Sequence, residues 1–97
     1  MLTEVSEVKE ALAPVFDRYQ VSKAVVFGSV AKGTADDQSD LDILVDSHLQ
    51  GFKFRGLMEA IREAVDMPVD VLDVTHIEAD SPIDREIRRT GVTIYER

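Results

Sequence analysis

Residues 27–45 read FGSVAKGTADDQSDLDILV, and this stretch holds the side chains best suited to chemistry. Gly28-Ser29 ends a short apolar run, Ala24-Val25-Val26-Phe27, that reads as a buried strand. A glycine at that point admits backbone angles that a Cβ hinders, and Val30-Ala31-Lys32 can open a short helix. The first amides of such a helix and the Ser29 hydroxyl would make a small cradle for an anion such as phosphate. Asp40 and Asp42 then bracket the start of a second strand, in which Leu41, Ile43 and Val45 alternate with them. Two residues apart on a strand, both carboxylates leave the same face. Carboxylates that close repel, and each is driven toward its protonated form unless a cation lies between them. Magnesium fits that place, because it takes oxygen ligands and keeps positions open for water and substrate phosphates.

Neither half of this pattern is specific alone. Gly-Ser turns after strands are common, and about one Asp-x-Asp arises by chance at this composition. A Gly-Ser at the fixed upstream distance lowers the chance count to under about 0.01. A third carboxylate is needed to hold two metals and to draw the proton from an attacking hydroxyl. Asp70, in Pro-Val-Asp-Val-Leu, interrupts an apolar strand, where an aspartate without a partner is out of place. An exposed strand face would also explain it, and Asp73 takes its place if the strand register slips. Together Asp40, Asp42 and Asp70 would hold two Mg²⁺ ions against a triphosphate whose β and γ phosphates rest on Gly28 and Ser29. An acceptor hydroxyl would then attack the α-phosphate in line, which is nucleotidyl transfer.

The elements that must position these residues are short. Val5, Val8, Leu12, Val15, Phe16 and Tyr19 follow helical spacing after a Thr3 cap, with Glu4 and Glu7 near the positive end of the helix dipole. Pro14 should kink this helix or force a restart, at a cost of about 3 kcal/mol. The stretch 47–56, SHLQGFKFRG, reads as a loop, and Leu57, Met58, Ile61, Ala64 and Val65 as a helix ending near Asp66. Pro68 opens a strand over 69–72. Ser81, Pro82, Asp84, Arg88, Arg89 and Gly91 mark a capped helix with a capping box between Ser81 and Asp84, before a last strand over 92–95. This alternation of helices and strands predicts a small α/β domain with helices packed on a sheet.

At 97 residues the chain reads as a single domain, 1–97. With 44% apolar and only 6% aromatic residues, its core is aliphatic. No apolar run reaches membrane-span length, and the glutamate-bearing start MLTEVSEVKEAL does not resemble a signal peptide. The absence of cysteine excludes disulfides and thiolate chemistry, and it suits the cytoplasm. A net charge of −8 opposes direct binding to nucleic acid. His48 and His76 lack metal-ligand spacing and read as surface residues, and Arg85, Arg88 and Arg89 are explained by helix electrostatics. Lys32 reaches either a phosphate or solvent. Phe52 and Phe54, beside Lys53 and Arg55, either pack under the loop or form part of a contact surface.

Gly28-Ser29, ten residues from Val30 to Ser39, and then Asp40-Leu41-Asp42 resemble the signature of the minimal nucleotidyltransferase family, within the DNA polymerase β-like superfamily. Phe27, Ala31, Gly33, Ser39 and the tail IRRTGVTIYER add to the likeness. Lys32 stands where the family more often has arginine, which keeps the charge and loses the forked contact. The resemblance implies a mixed sheet of about four strands with helices packed on it. It also implies an antitoxin that binds a HEPN-domain ribonuclease toxin and, with ATP and Mg²⁺, transfers AMP to a tyrosine of that toxin. An acidic surface suits a partner that must itself bind RNA. Two other functions remain open: neutralisation by binding alone, and transfer to a small molecule, for which relatives generally add a second domain.

Overall fold

A computed structural model describes residues 4–34 and 40–97; the expected Thr3 cap and Ser39 lie outside them. In chain order the elements are α1 (Val5–Arg18), β1 (Lys23–Phe27), α2 (Gly28–Lys32), β2 (Leu41–Asp46), α3 (Gly51–Val65), β3 (Val69–Asp73), a 3-10 turn (Val74–His76), α4 (Pro82–Thr90) and β4 (Val92–Glu96). The strands form one sheet in the order β3-β2-β1-β4. β2 and β3 run parallel, whereas β1 pairs antiparallel with both β2 and β4. The chain is thus an α/β protein with a four-stranded mixed sheet, as expected.

Strand alternation sorts the sheet into two faces. Leu41, Ile43 and Val45 are buried together with Ala24, Val26, Val69, Val71 and Ile94. They meet Val8, Leu12 and Phe16 of α1 and Leu57 and Ile61 of α3 in a single core. The alternate residues, Asp42, Leu44 and Asp46, are half-buried on the other face. There Lys23, Val25, Leu44 and Asp46 line a cleft with Val74 of the 3-10 turn and Ile87 of α4. Among the described residues no helix is long and apolar enough to cross a membrane.

Three local expectations differ from the structure. α1 runs unbroken through Pro14, because the residues on both sides of it share one buried stripe. Val8, Leu12, Val15 and Phe16 are all buried, and at about 1.5–3 kcal/mol each they outweigh a proline cost of about 3 kcal/mol. The stretch 51–56 is helical rather than loop. Gly51, at φ 61°, makes the turn into α3, and Phe54 extends the apolar stripe of Leu57, Met58 and Ile61 onto the core. Gly56 faces the Tyr19 ring of the neighbouring helix end, so packing overrides its poor helix propensity.

At α4, the Asp84 amide donates to Ser81 Oγ at 3.3 Å as expected. The Asp84 carboxylate, however, accepts from the Asp80 amide at 2.9 Å, so the box closes one residue earlier than the cap. Gly91 ends the helix at an ordinary φ of −65°. Its need is for space, since a Cβ there would stand 2.8 Å from Val25 Cγ1.

Candidate active site

β1 delivers the chain to Gly28 in extended conformation, and Gly28 turns it into α2 at φ 75°. That angle favours glycine, and the surroundings require it independently. A Cβ on Gly28 would lie 2.5 Å from Asp42 Oδ2. The tight turn and the acidic strand are therefore in direct contact. Gly28→Ala is expected to lower stability by about 2 kcal/mol, from the unfavourable angle and the displaced carboxylate together. Urea denaturation measures it, and an unchanged midpoint would contradict this packing.

The carboxylates come together through the sheet register. Asp42 and Asp70 are paired positions on the parallel strands β2 and β3, about 4.8 Å apart in the hydrogen-bonding direction. Asp40 is exposed immediately before β2. The Asp42 carboxyl is pushed above the ordinary carboxylate range, first by burial and then by the negative charges of Asp70, Asp40 and Glu86. Like charges repel, and among the described residues no three His, Asp or Glu side chains are grouped closely enough to hold one ion between them. The donor set itself suits a hard cation: carboxylate oxygens on adjacent strands, whose repulsion a cation relieves.

Asp73 has a different occupation. It is 2% exposed and lies three residues beyond Asp70, hence on the opposite face of β3. Its Oδ1 accepts from the Ser47 amide at 3.1 Å and the Ser47 hydroxyl at 2.7 Å. Its Oδ2 accepts from the Thr75 amide at 3.1 Å and the Thr75 hydroxyl at 2.8 Å. Burial pushes its pKa up, but these hydrogen bonds outweigh that and hold it below the ordinary value. His76, read from sequence as a surface residue, is exposed yet structural: its Nδ1 accepts from the Asp73 amide at 3.1 Å and its ring meets Phe54 edge-on. His48 is exposed beside Asp46, 3.4 Å away. The two phenylalanines divide, with Phe54 packed on the core and Phe52 89% exposed.

Three residues near the turn have contacts that sequence reasoning missed. Lys32, half-exposed, also has a protein partner: its Nζ lies 3.4 Å from Glu86 Oε1 on α4. Partial burial pushes the Glu86 carboxyl up, but the hydrogen bond and charge of Lys32, followed by Arg89, outweigh it and hold the pKa low. The Gly28 amide donates to Thr90 Oγ1 at 3.3 Å. Glu86 and Thr90 are four residues apart, so their shared helix face is visible in sequence. Which strand that face meets depends on tertiary packing.

The sequence matches the family described as "Polymerase beta, Nucleotidyltransferase" over residues 10–97. A curated protein of Methanocaldococcus jannaschii, provisionally named a protein adenylyltransferase, is 29% identical over 76 residues, 70% of this chain and 76% of the relative. Among solved structures, a chain of a toxin–antitoxin complex with AMP-PNP is similar with a TM-score of 0.76 and 19% identity, over 92% of this chain and 73% of that one. A chain from the complex of a tri-AMPylated Shewanella oneidensis HEPN toxin with an MNT antitoxin gives a TM-score of 0.71 at 15% identity, over 96% and 73%. At such identities the structural likeness speaks for the fold, while the sequence match spans the turn, the acidic strand and the tail alike. The chain belongs to the polymerase β-type nucleotidyltransferase family.

Proposed function

We propose that the protein is an antitoxin that transfers AMP from ATP to a tyrosine of a partner HEPN-domain ribonuclease toxin. One observation carries this reading most: Asp42 and Asp70 are register partners on one sheet face, with the Gly28 turn pressed against Asp42. The Gly28-Ser29 turn would hold the β and γ phosphates through the Ser29 hydroxyl and the amides that follow Gly28, whose own amide is committed to Thr90 Oγ1. Asp40, Asp42 and Asp70 would ligate two Mg²⁺ ions. Magnesium bound there would lower the pKa of the acceptor hydroxyl and offset the charge of the triphosphate.

Within that frame Asp70 takes the phenol proton. The phenol oxygen forms its bond to the α-phosphorus as the bond to the bridging oxygen breaks, and pyrophosphate leaves with the electron pair. The toxin-complex relatives and the adenylyltransferase name of the archaeal relative support the choice of AMP and of a HEPN partner. The charge of −8 favours a basic partner over nucleic acid itself. ATP as substrate and an RNA-cleaving target would suit the cytoplasm. Incubating the protein with ATP, Mg²⁺ and its partner toxin is expected to add AMP to the toxin, read by intact mass; an unmodified toxin in a formed complex would overturn the reading.

Neutralisation by binding alone is the second reading. Phe52, 89% exposed beside Lys53 and Arg55, offers an aromatic contact that catalysis does not need. An Asp40→Ala, Asp42→Ala double variant separates the two, since full protection of cells by that variant leaves only the binding role.

A further inference from the structure

α2 has five residues, far fewer than a helix needs to persist unaided. Its first residue is a glycine, the residue freest to adopt other backbone angles. The turn that faces Asp42 therefore needs support from elsewhere in the fold, and α4 supplies it at both ends. The Gly28 amide donates to Thr90 Oγ1 at 3.3 Å. The Thr90 hydroxyl in turn donates to the Glu86 carbonyl at 2.9 Å, which commits its proton and leaves a lone pair facing Gly28. At the other end of α2, Lys32 Nζ lies 3.4 Å from Glu86 Oε1. Two residues one turn apart on α4 thus hold two residues one turn apart on α2.

The two grips are unequal. The Lys32 and Glu86 side chains are 45% and 27% exposed, so solvent screens their attraction. The Gly28–Thr90 bond is partly buried, and losing its acceptor leaves an amide with poor access to water. A backbone hydrogen bond also fixes something an ion pair does not. It sets the plane of the Phe27–Gly28 peptide, and through it the direction of the Ser29 and Val30 amides that follow.

We infer that Thr90 is a positioning residue for the nucleotide: by accepting the Gly28 amide it aims the first turn of α2 at the phosphates, without touching substrate. This rests on the proposed function for its ligand, MgATP, but the hydrogen bond itself can be probed without any ligand. Thr90→Val keeps the shape and removes the acceptor, whereas Thr90→Ser restores it.

Two readouts test the inference. In the valine variant the Gly28 amide, followed by NMR hydrogen exchange, should exchange on the order of 10-fold faster than in the parent. MgATP should bind on the order of 5- to 10-fold more weakly, with AMP transfer at saturating ATP within about threefold of the parent. The serine variant should restore both. Unchanged exchange in the valine variant, or failure of serine to restore it, overturns the inference. Faster exchange with unchanged MgATP affinity overturns it too, because Thr90 would then serve the fold alone. A parent that binds no MgATP overturns the proposed function and this inference together. A parent and valine variant that bind MgATP equally overturn only the inference.

Discussion

Replacing Asp42 by asparagine should make the protein more stable and abolish AMP transfer in the same step. The gain in stability follows from the direction of its pKa shift. Burial and the charges of Asp70, Asp40 and Glu86 all oppose ionisation of Asp42, so its neutral form is favoured in the folded state. Its ionised form therefore costs stability. That cost is absent below the ordinary carboxylate value, about pH 4, grows as pH rises through the raised folded-state value, and is complete above it. Asparagine removes the charge at all pH values. Its melting temperature should exceed the parent's at pH 7 by a few degrees, since 1 kcal/mol is worth about 4–8 °C in a domain of this size. The two proteins should converge in acid. A parent more stable than Asp42→Asn at pH 7 would contradict the electrostatic account.

The loss of activity follows from the same charge. A neutral amide is a poor ligand for a hard divalent cation, and the rate of transfer should fall by roughly 10³-fold or more. Binding gives an independent check. MgATP at about 100 times its dissociation constant should stabilise the parent by about 2.7 kcal/mol and the variant by much less. Retained transfer in Asp42→Asn would remove Asp42 from the catalytic set. Instability where charges are gathered for function is a common exchange in active sites, and here its direction can be read from four acidic residues.

What was legible from sequence and what was not divide along the range of the forces involved. Local rules were enough for β2, where Leu41, Ile43 and Val45 alternate with Asp42 and bury fully. They were enough too for α4, which starts at Pro82 behind Ser81. The juxtaposition of Asp42 and Asp70 was legible because both lie at strand starts and parallel pairing needs no long shift to align them. Pro14 and 51–56 were misread for a shared reason. There, local propensity opposed the helix, and tertiary burial of Val15, Phe16 and Phe54 overrode it. For Thr90 and Glu86 only the shared helix face is a local signal; their roles are not, because a hydrogen bond from residue 28 to residue 90 exists only once α4 has packed on β1 and α2.

The same contrast between faces decides Asp73, where alanine should cost about 3 kcal/mol. Four hydrogen bonds converge on this carboxylate from Ser47 and Thr75, tying the segment after β2 to the turn after β3. Thr75 is exposed, so water can replace its share. Ser47 is 2% exposed, so its amide would be left buried and unpaired, which carries most of the cost. Asparagine keeps one oxygen for Ser47 but presents an amide to the Thr75 donor, and should cost about half as much. Because the folded-state pKa is lowered, the contribution of ionised Asp73 is complete above about pH 4 and is lost as pH falls through the lowered value. Urea denaturation should therefore show a large gap between parent and Asp73→Asn at pH 7 that narrows in acid, the reverse sign of the Asp42 series. Asp70→Asn, three residues away on the exposed face, should change stability by less than about 0.5 kcal/mol while ending AMP transfer. If instead Asp73→Asn unfolds no more easily than Asp70→Asn, the assignment of one aspartate to structure and the other to chemistry fails.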